Sequence, residues 1–157
     1  MISKTLLKGF VFFSFVCCAP VMARAQAAPA NYTAIKTGIL TLVNKHRAGM
    51  GLKPLKMNDV IEKAAERHSS NMAAKKIPFG HDGFDERMKG ITQQLGGANG
   101  WAENVLMGAG TAEKAVDMWL HSPGHKKNIE GNYNLTGIGI VKGADGQLYY
   151  TQIFVGK

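Results

Sequence analysis

Three side chains able to do chemistry sit in segments that restrict them: His81 in FGHDGF, Glu103 in WAENV and His125 in WLHSPGHKKNI. Imidazole exchanges protons near neutral pH and is a common metal ligand. Two imidazoles and a carboxylate form a ligand set for zinc with a fourth position open to water. A zinc-bound water can serve hydrolysis. Without a metal, the same groups could hold an anion or order water. The spacing lacks the H-E-x-x-H helix signature. Neither histidine has a cysteine beside it, which excludes a cysteine–histidine nucleophile. Ser69 and Ser70 have no G-x-S-x-G setting and read as ordinary helix residues. We therefore expect His81, Glu103 and His125 to share one cleft. His81 and His125 are the expected ligands of a divalent metal such as zinc, with Glu103 as a third. The same three residues are the candidates for any catalytic role.

The elements that must position them follow from periodicity. Tyr32, Ile35, Ile39, Leu42, Val43 and His46 recur at helical spacing. Asn31 can cap that helix, and Arg47-Ala48-Gly49-Met50-Gly51 ends it. Asp59 and Glu62 have capping-box spacing for a second helix, with Ile61, Ala64, Ala65, His68 and Met72 on its apolar stripe. His46 and His68 read as packed histidines of these stripes. Pro78 stops the second helix. Phe79 and Phe84 can anchor the segment holding His81, and Asp82 either caps the next helix or orients His81. A short helix is expected over Asp85 to Ile91, then a glycine-containing loop over Gln93 to Gly100. In WAENV, Trp101 and Val105 are expected to bury while Glu103 points elsewhere.

The strongest helical stripe is Ala112, Ala115, Val116, Trp119 and Leu120, opening at Thr111. It breaks at Ser122-Pro123-Gly124, and a short helix carrying His125 and Ile129 follows. His121 reads as a surface residue. The period then changes to two. Thr136 to Val141 and Leu148 to Val155 form a hairpin across the Ala144-Asp145-Gly146-Gln147 turn. Trp101 to Leu106 is the best third strand. Helices before strands predict an α+β domain whose helices cover a sheet.

The N-terminus has a different character. Lys4 and Lys8 precede the uncharged run GFVFFSFVCCAPV, and Ala25-Gln26-Ala27 fits a small-x-small cleavage site. This pattern predicts a signal peptide over residues 1–27 and a single domain over 28–157. The run is shorter than the roughly 20 residues a membrane span requires. No stable transmembrane segment is expected after cleavage, and the protein is expected to be secreted or periplasmic. Losing Lys4, Lys8 and Arg24 leaves 16 basic and 11 acidic residues and lowers the formal charge from +8 to +5. The remaining lysines are scattered, and nothing in their arrangement argues for nucleic acid. Cys17 and Cys18 are the only cysteines. The expected mature domain therefore relies on packing and hydrogen bonds instead of disulfides.

In order along the chain, LVNKHRAGMGLKPLKMN, the GH of His81, WAENV, WLHSPGHKKNI, GIGI and YYTQIF resemble the superfamily of cysteine-rich secretory, antigen-5 and pathogenesis-related proteins. The similarity is to its cysteine-free bacterial SCP-like branch and extends over Ile35 to Phe154. The resemblance implies a three-layer α-β-α sandwich, with helices on both sides of a central antiparallel sheet and a large open cleft. It also implies two histidines and two glutamates in that cleft. His81, Glu103 and His125 match three of them, whereas Ser122 stands where the second glutamate is implied.

Three functions follow as expectations. The first is a secreted ligand-binding or interaction module, since the resemblance implies lipid, sterol, envelope or protein ligands. The second is a metal-dependent hydrolase acting on protein or cell-envelope material. The third is a structural envelope protein with a vestigial cleft. Ser122 weakens any mechanism that needs two carboxylates.

Overall fold

The structure is a computed structural model that describes residues 32–157. The signal-peptide reading of residues 1–27 and the Asn31 cap lie outside these residues. Five helices and four strands are formed among the described residues: α1 (Thr33–Gly49), β1 (Lys56–Met57), α2 (Asp59–Ala73), α3 (Phe84–Leu95), β2 (Gly100–Met107), α4 (Ala112–Leu120), α5 (Pro123–Ile129), β3 (Leu135–Lys142) and β4 (Leu148–Gly156). The strand order is β1-β3-β4-β2. The expected hairpin β3–β4 is present, and β2 pairs antiparallel with β4 from Gly100↔Gly156 to Met107↔Tyr149. The two-residue β1 instead runs parallel to β3. It is an extension of the connection after α1, held by Lys56 N–H donating to Asn134 O and Asn58 N–H donating to Thr136 O.

Alternation along the strands divides the core into two layers. Tyr150 and Phe154 of β4 join Ala102 and Leu106 of β2 against α1 and α4. Ile153 and Val155 face the other way, against Ile61 and Ala65 of α2 and Met88 and Ile91 of α3. The result is the expected three-layer α-β-α sandwich. Helix α2 lies directly on β3 because Gly137 and Gly139 remove the side chains between them. A Cβ at Gly137 would stand 2.2 Å from Glu62 N, and one at Gly139 would stand 2.3 Å from the Ala65 carbonyl.

Local chemistry shifts several expected boundaries. Asn58, not an Asp59–Glu62 box, caps α2: its Oδ1 accepts from Val60 N–H and Ile61 N–H. Glu62 is drawn instead to Lys36, 2.6 Å away. Helix α3 starts one residue earlier and ends four residues later than the apolar stripe suggested. Gly83 and Gly96, both at φ +70°, bound it in left-handed geometry. Phe79 does not anchor its segment inside the core. It is 50% exposed and meets Tyr149 only edge-on.

Arg47 does more than finish a helix. Its side chain is buried and donates from Nε to Lys53 O, from Nη1 to Ile129 O and Gly131 O, and from Nη2 to Tyr133 O. These bonds join the end of α1 to the end of α5 and to the chain entering β3. Trp119, fully buried at the end of α4, packs beside Ile129 of α5 in the same core cluster. The two residues hold the corner from which α5 carries His125. Trp119→Ala should destabilise the protein by about 3–5 kcal/mol, the range for emptying a packed aromatic site. Urea titration of wild type and variant measures this, and a loss below about 1 kcal/mol would contradict the buried anchor.

Candidate functional site

The site begins with the alternation of the edge strand β2. Trp101, Glu103 and Val105 share the face toward α2 and α3, while Ala102, Asn104 and Leu106 take the other. This corrects the expectation that Glu103 points away from its apolar neighbours. Trp101 is also 43% exposed, not buried. Glu103 is enclosed, with only 1% of its side chain accessible.

A carboxylate so enclosed requires donors or a cation. Arg87, at the fourth position of α3, supplies both. Its Nε donates to Glu103 Oε2 at 2.9 Å, and its Nη2 donates to Oε1 at 2.8 Å. Such a fork fixes the carboxylate plane as well as neutralising it. His81 Nδ1 lies 2.9 Å from the same Oε1. An ionised carboxylate only accepts, so Nδ1 carries the proton and Nε2 is the free nitrogen of the neutral ring. The His81 side chain is 51% exposed, so the ring spans the boundary between the buried carboxylate and solvent.

His68 belongs to this cluster as well. The expectation that it is a packed histidine holds for its burial but omits its neighbours. Its Nε2 donates to Gly80 O at 2.8 Å and lies 3.7 Å from Glu103 Oε1. It therefore pins the backbone immediately before His81. Burial is the main cause that lowers its pKa below the ordinary histidine value, outweighing its hydrogen bond to Gly80 and the charge of Glu103.

His125 approaches from the opposite layer. It is the third residue of α5 and is half-buried. Burial lowers its pKa, and the neighbouring charge of His81 lowers it further. The structure thus joins His81 to Glu103 by a hydrogen bond and brings His125 within electrostatic reach of His81. Ser122 occupies the extended position preceding α5 and makes no cap bond there. The other histidines are elsewhere: His46 pairs with Glu130 at 2.8 Å, and the exposed His121 lies beside Asp117. Ser69 is buried with its Oγ 2.8 Å from Thr151 Oγ1, as befits a packed helix residue.

Arg87 and His68 also line a cleft of about 400 Å³ between α2 and α3, together with Arg67, Asn71, Asp82 and Glu86; His81, Glu103 and His125, expected to share a cleft, are not among its lining residues. A separate, more apolar groove of about 460 Å³ is lined by Phe84, Met88 and Trp101. Among the described residues, no group of three or more histidine, cysteine, aspartate or glutamate side chains is disposed to hold a metal ion. No described helix is long and apolar enough to cross a membrane.

With this fold and cluster established, comparison with known proteins is informative. Residues 40–154 match the cysteine-rich secretory protein family, CAP. The chain belongs to the CAP family. Among its relatives is YkwD, an uncharacterized protein of Bacillus subtilis, which is 34% identical over 138 residues, covering 83% of this chain and 51% of YkwD. The chain thus spans about half the length of that curated relative. An outer surface protein of Borrelia burgdorferi has the same fold, with a TM-score of 0.72, 19% identity, and coverage of 83% of this chain and 98% of that one. An extracellular SCP-domain protein of Bacillus anthracis gives a TM-score of 0.66 at 26% identity, over 80% of this chain and 41% of that one.

Two outcomes test the electrostatics. Arg87→Ala would leave the buried Glu103 without its cationic partner, at a cost of about 3–5 kcal/mol, whereas an Arg87→Met/Glu103→Leu pair should recover much of the loss. Urea titration checks the contrast. The lowered pKa values of His68 and His125 set a second expectation. The unfolded histidines take up protons near pH 6.5 while the native ones resist, so stability is complete above about 6.5 and falls with pH below it. The urea midpoint should be lower at pH 5.0 than at pH 7.5, and a His68→Asn/His125→Asn variant should show a flatter dependence.

Proposed function

We propose that this CAP domain is a secreted or surface-associated binding module whose cleft presents imidazole nitrogens to its ligand. The observation that carries this reading is the engagement of Glu103. Its oxygens accept from Arg87 and His81, leaving His81 Nε2 as the outward nitrogen. A carboxylate–histidine pair of this kind orients a ring and raises its basicity as a ligand. As a two-imidazole site, His81 and His125 would hold a divalent ion such as zinc, with Glu103 as the group that orients His81. Bound zinc would supply a Lewis-acid centre. The protein's own part is to fix the ring, hold the proton on Nδ1 and leave Nε2 free. Arg87 and His81 occupy both oxygens of Glu103, so this carboxylate orients a ring instead of serving as a free general base. The half-exposed His81 ring supports binding over a vestigial site. The N-terminal pattern of residues 1–27 and the extracellular character of the B. anthracis relative support export.

Zinc calorimetry on the protein lacking residues 1–27 tests the reading. Wild type should bind at pH 7.5, the His81→Ala/His125→Ala variant should lose that binding, and wild type should bind more weakly at pH 5.5 because protons compete for the imidazoles. Equal binding by wild type and variant would place the ion elsewhere. No binding by wild type at pH 7.5 would remove the metal from this proposal.

A further inference from the structure

Glu103 and Asn104 are consecutive residues of an edge strand, so their side chains leave opposite faces of the sheet. On one face Glu103 gathers Arg87 of α3 and the segment carrying His81. On the other face Asn104 gathers α5. Asn104 is fully buried, and its Nδ2 donates to His125 O at 3.1 Å. Asn128 completes the link: its Nδ2 donates to Asn104 Oδ1 at 2.9 Å and to Glu103 O at 3.2 Å.

Gln152 lies directly across from Asn104 in the β2–β4 register and is also fully buried. Asn104 nevertheless ties its amide to α5, with Nδ2 donating to the His125 carbonyl and Oδ1 accepting from Asn128.

We propose that Asn104 is a positioning residue for His125: by holding the His125 carbonyl it docks α5 on the edge strand and sets where the His125 ring stands relative to His81. The Glu103–Asn104 pair therefore clamps two half-sites carried on opposite faces of one sheet. Arg47 secures the other end of α5 through Ile129 O and Gly131 O, so the helix need not unfold when the Asn104 bond is lost. This inference rests on the imidazole-cleft reading, but its structural part can be measured without a ligand.

The test uses Asn104→Leu, which keeps the approximate shape and removes both hydrogen bonds. Circular dichroism confirms the fold, and Asn104→Ser serves as a second variant if the leucine variant fails to fold. Amide hydrogen exchange should quicken by about tenfold or more over His125 to Ile129, with little change over α4. Zinc affinity at pH 7.5 should fall by about tenfold or more, the range seen when support for a metal ligand is removed. In a His125→Ala background the Asn104 substitution should cause no further loss, because its effect passes through His125. Unchanged exchange over α5 would overturn the positioning role. An equal additional loss of zinc affinity in the His125→Ala background would also overturn it. If wild type binds no zinc, the metal reading fails separately, and the exchange result alone decides whether Asn104 docks α5.

Discussion

The arrangement of the cleft depends on a carboxylate that cannot be buried alone. Glu103 sits on an edge strand with 1% of its side chain accessible, and the Arg87 fork makes that position tenable. Because Arg87 belongs to the first turns of α3, the pair also fixes how that helix begins. Arg87 Nη1 donates to Asp82 O, which gathers the turn between His81 and α3. His81 then uses an oxygen already oriented by Arg87. One ion pair thus sets the carboxylate plane, the preceding turn and the exposed imidazole.

The remaining scaffold brings two separate layers to the same strand edge. Gly137 and Gly139 let α2 rest on the backbone of β3, which places His68 behind the segment carrying His81. On the other face, buried Trp119 ends α4 at the corner before α5, and Arg47 holds the far end of α5. The corner matters because α5 has only seven residues and little capacity to hold itself. Its position is imposed by the hydrogen bonds of Arg47, Asn104 and Asn128 and by the burial of Ile129. The placement of His81 and His125 is consequently a property of tertiary contacts on both sides of β2.

Much of this was legible in the sequence. The stripe ending at Trp119, the hairpin and the third strand at WAENV follow from period and turn chemistry. His81 and Glu103 meet, although Phe79 and Trp101, the expected buried anchors beside them, are both exposed. What escaped the sequence were the long-range partners. Arg87 lies in an ordinary amphipathic helix, and nothing local distinguishes it from a solvated arginine. Its spacing of four from Gly83, which opens α3, could have suggested only that it lies in the first turns. His68 occupies a core stripe, so its burial was readable but its approach to Glu103 was not. Arg47 resembled a helix-terminal cation because its four carbonyl acceptors come from segments up to 86 residues away. Strand alternation, applied strictly, would have placed Trp101 and Val105 on the same face as Glu103.

The tautomer of His81 offers the most direct test of the central claim that Glu103 orients this ring instead of acting as a free base. Long-range ¹⁵N–¹H correlation on wild type at pH 8, where the neutral ring can be observed, distinguishes the two ring nitrogens. The account predicts a proton on Nδ1 and an unprotonated Nε2, because Nδ1 donates to Glu103. That preference should disappear in Glu103→Ala. A wild-type ring protonated on Nε2, or a tautomer unaffected by removing the carboxylate, would contradict it.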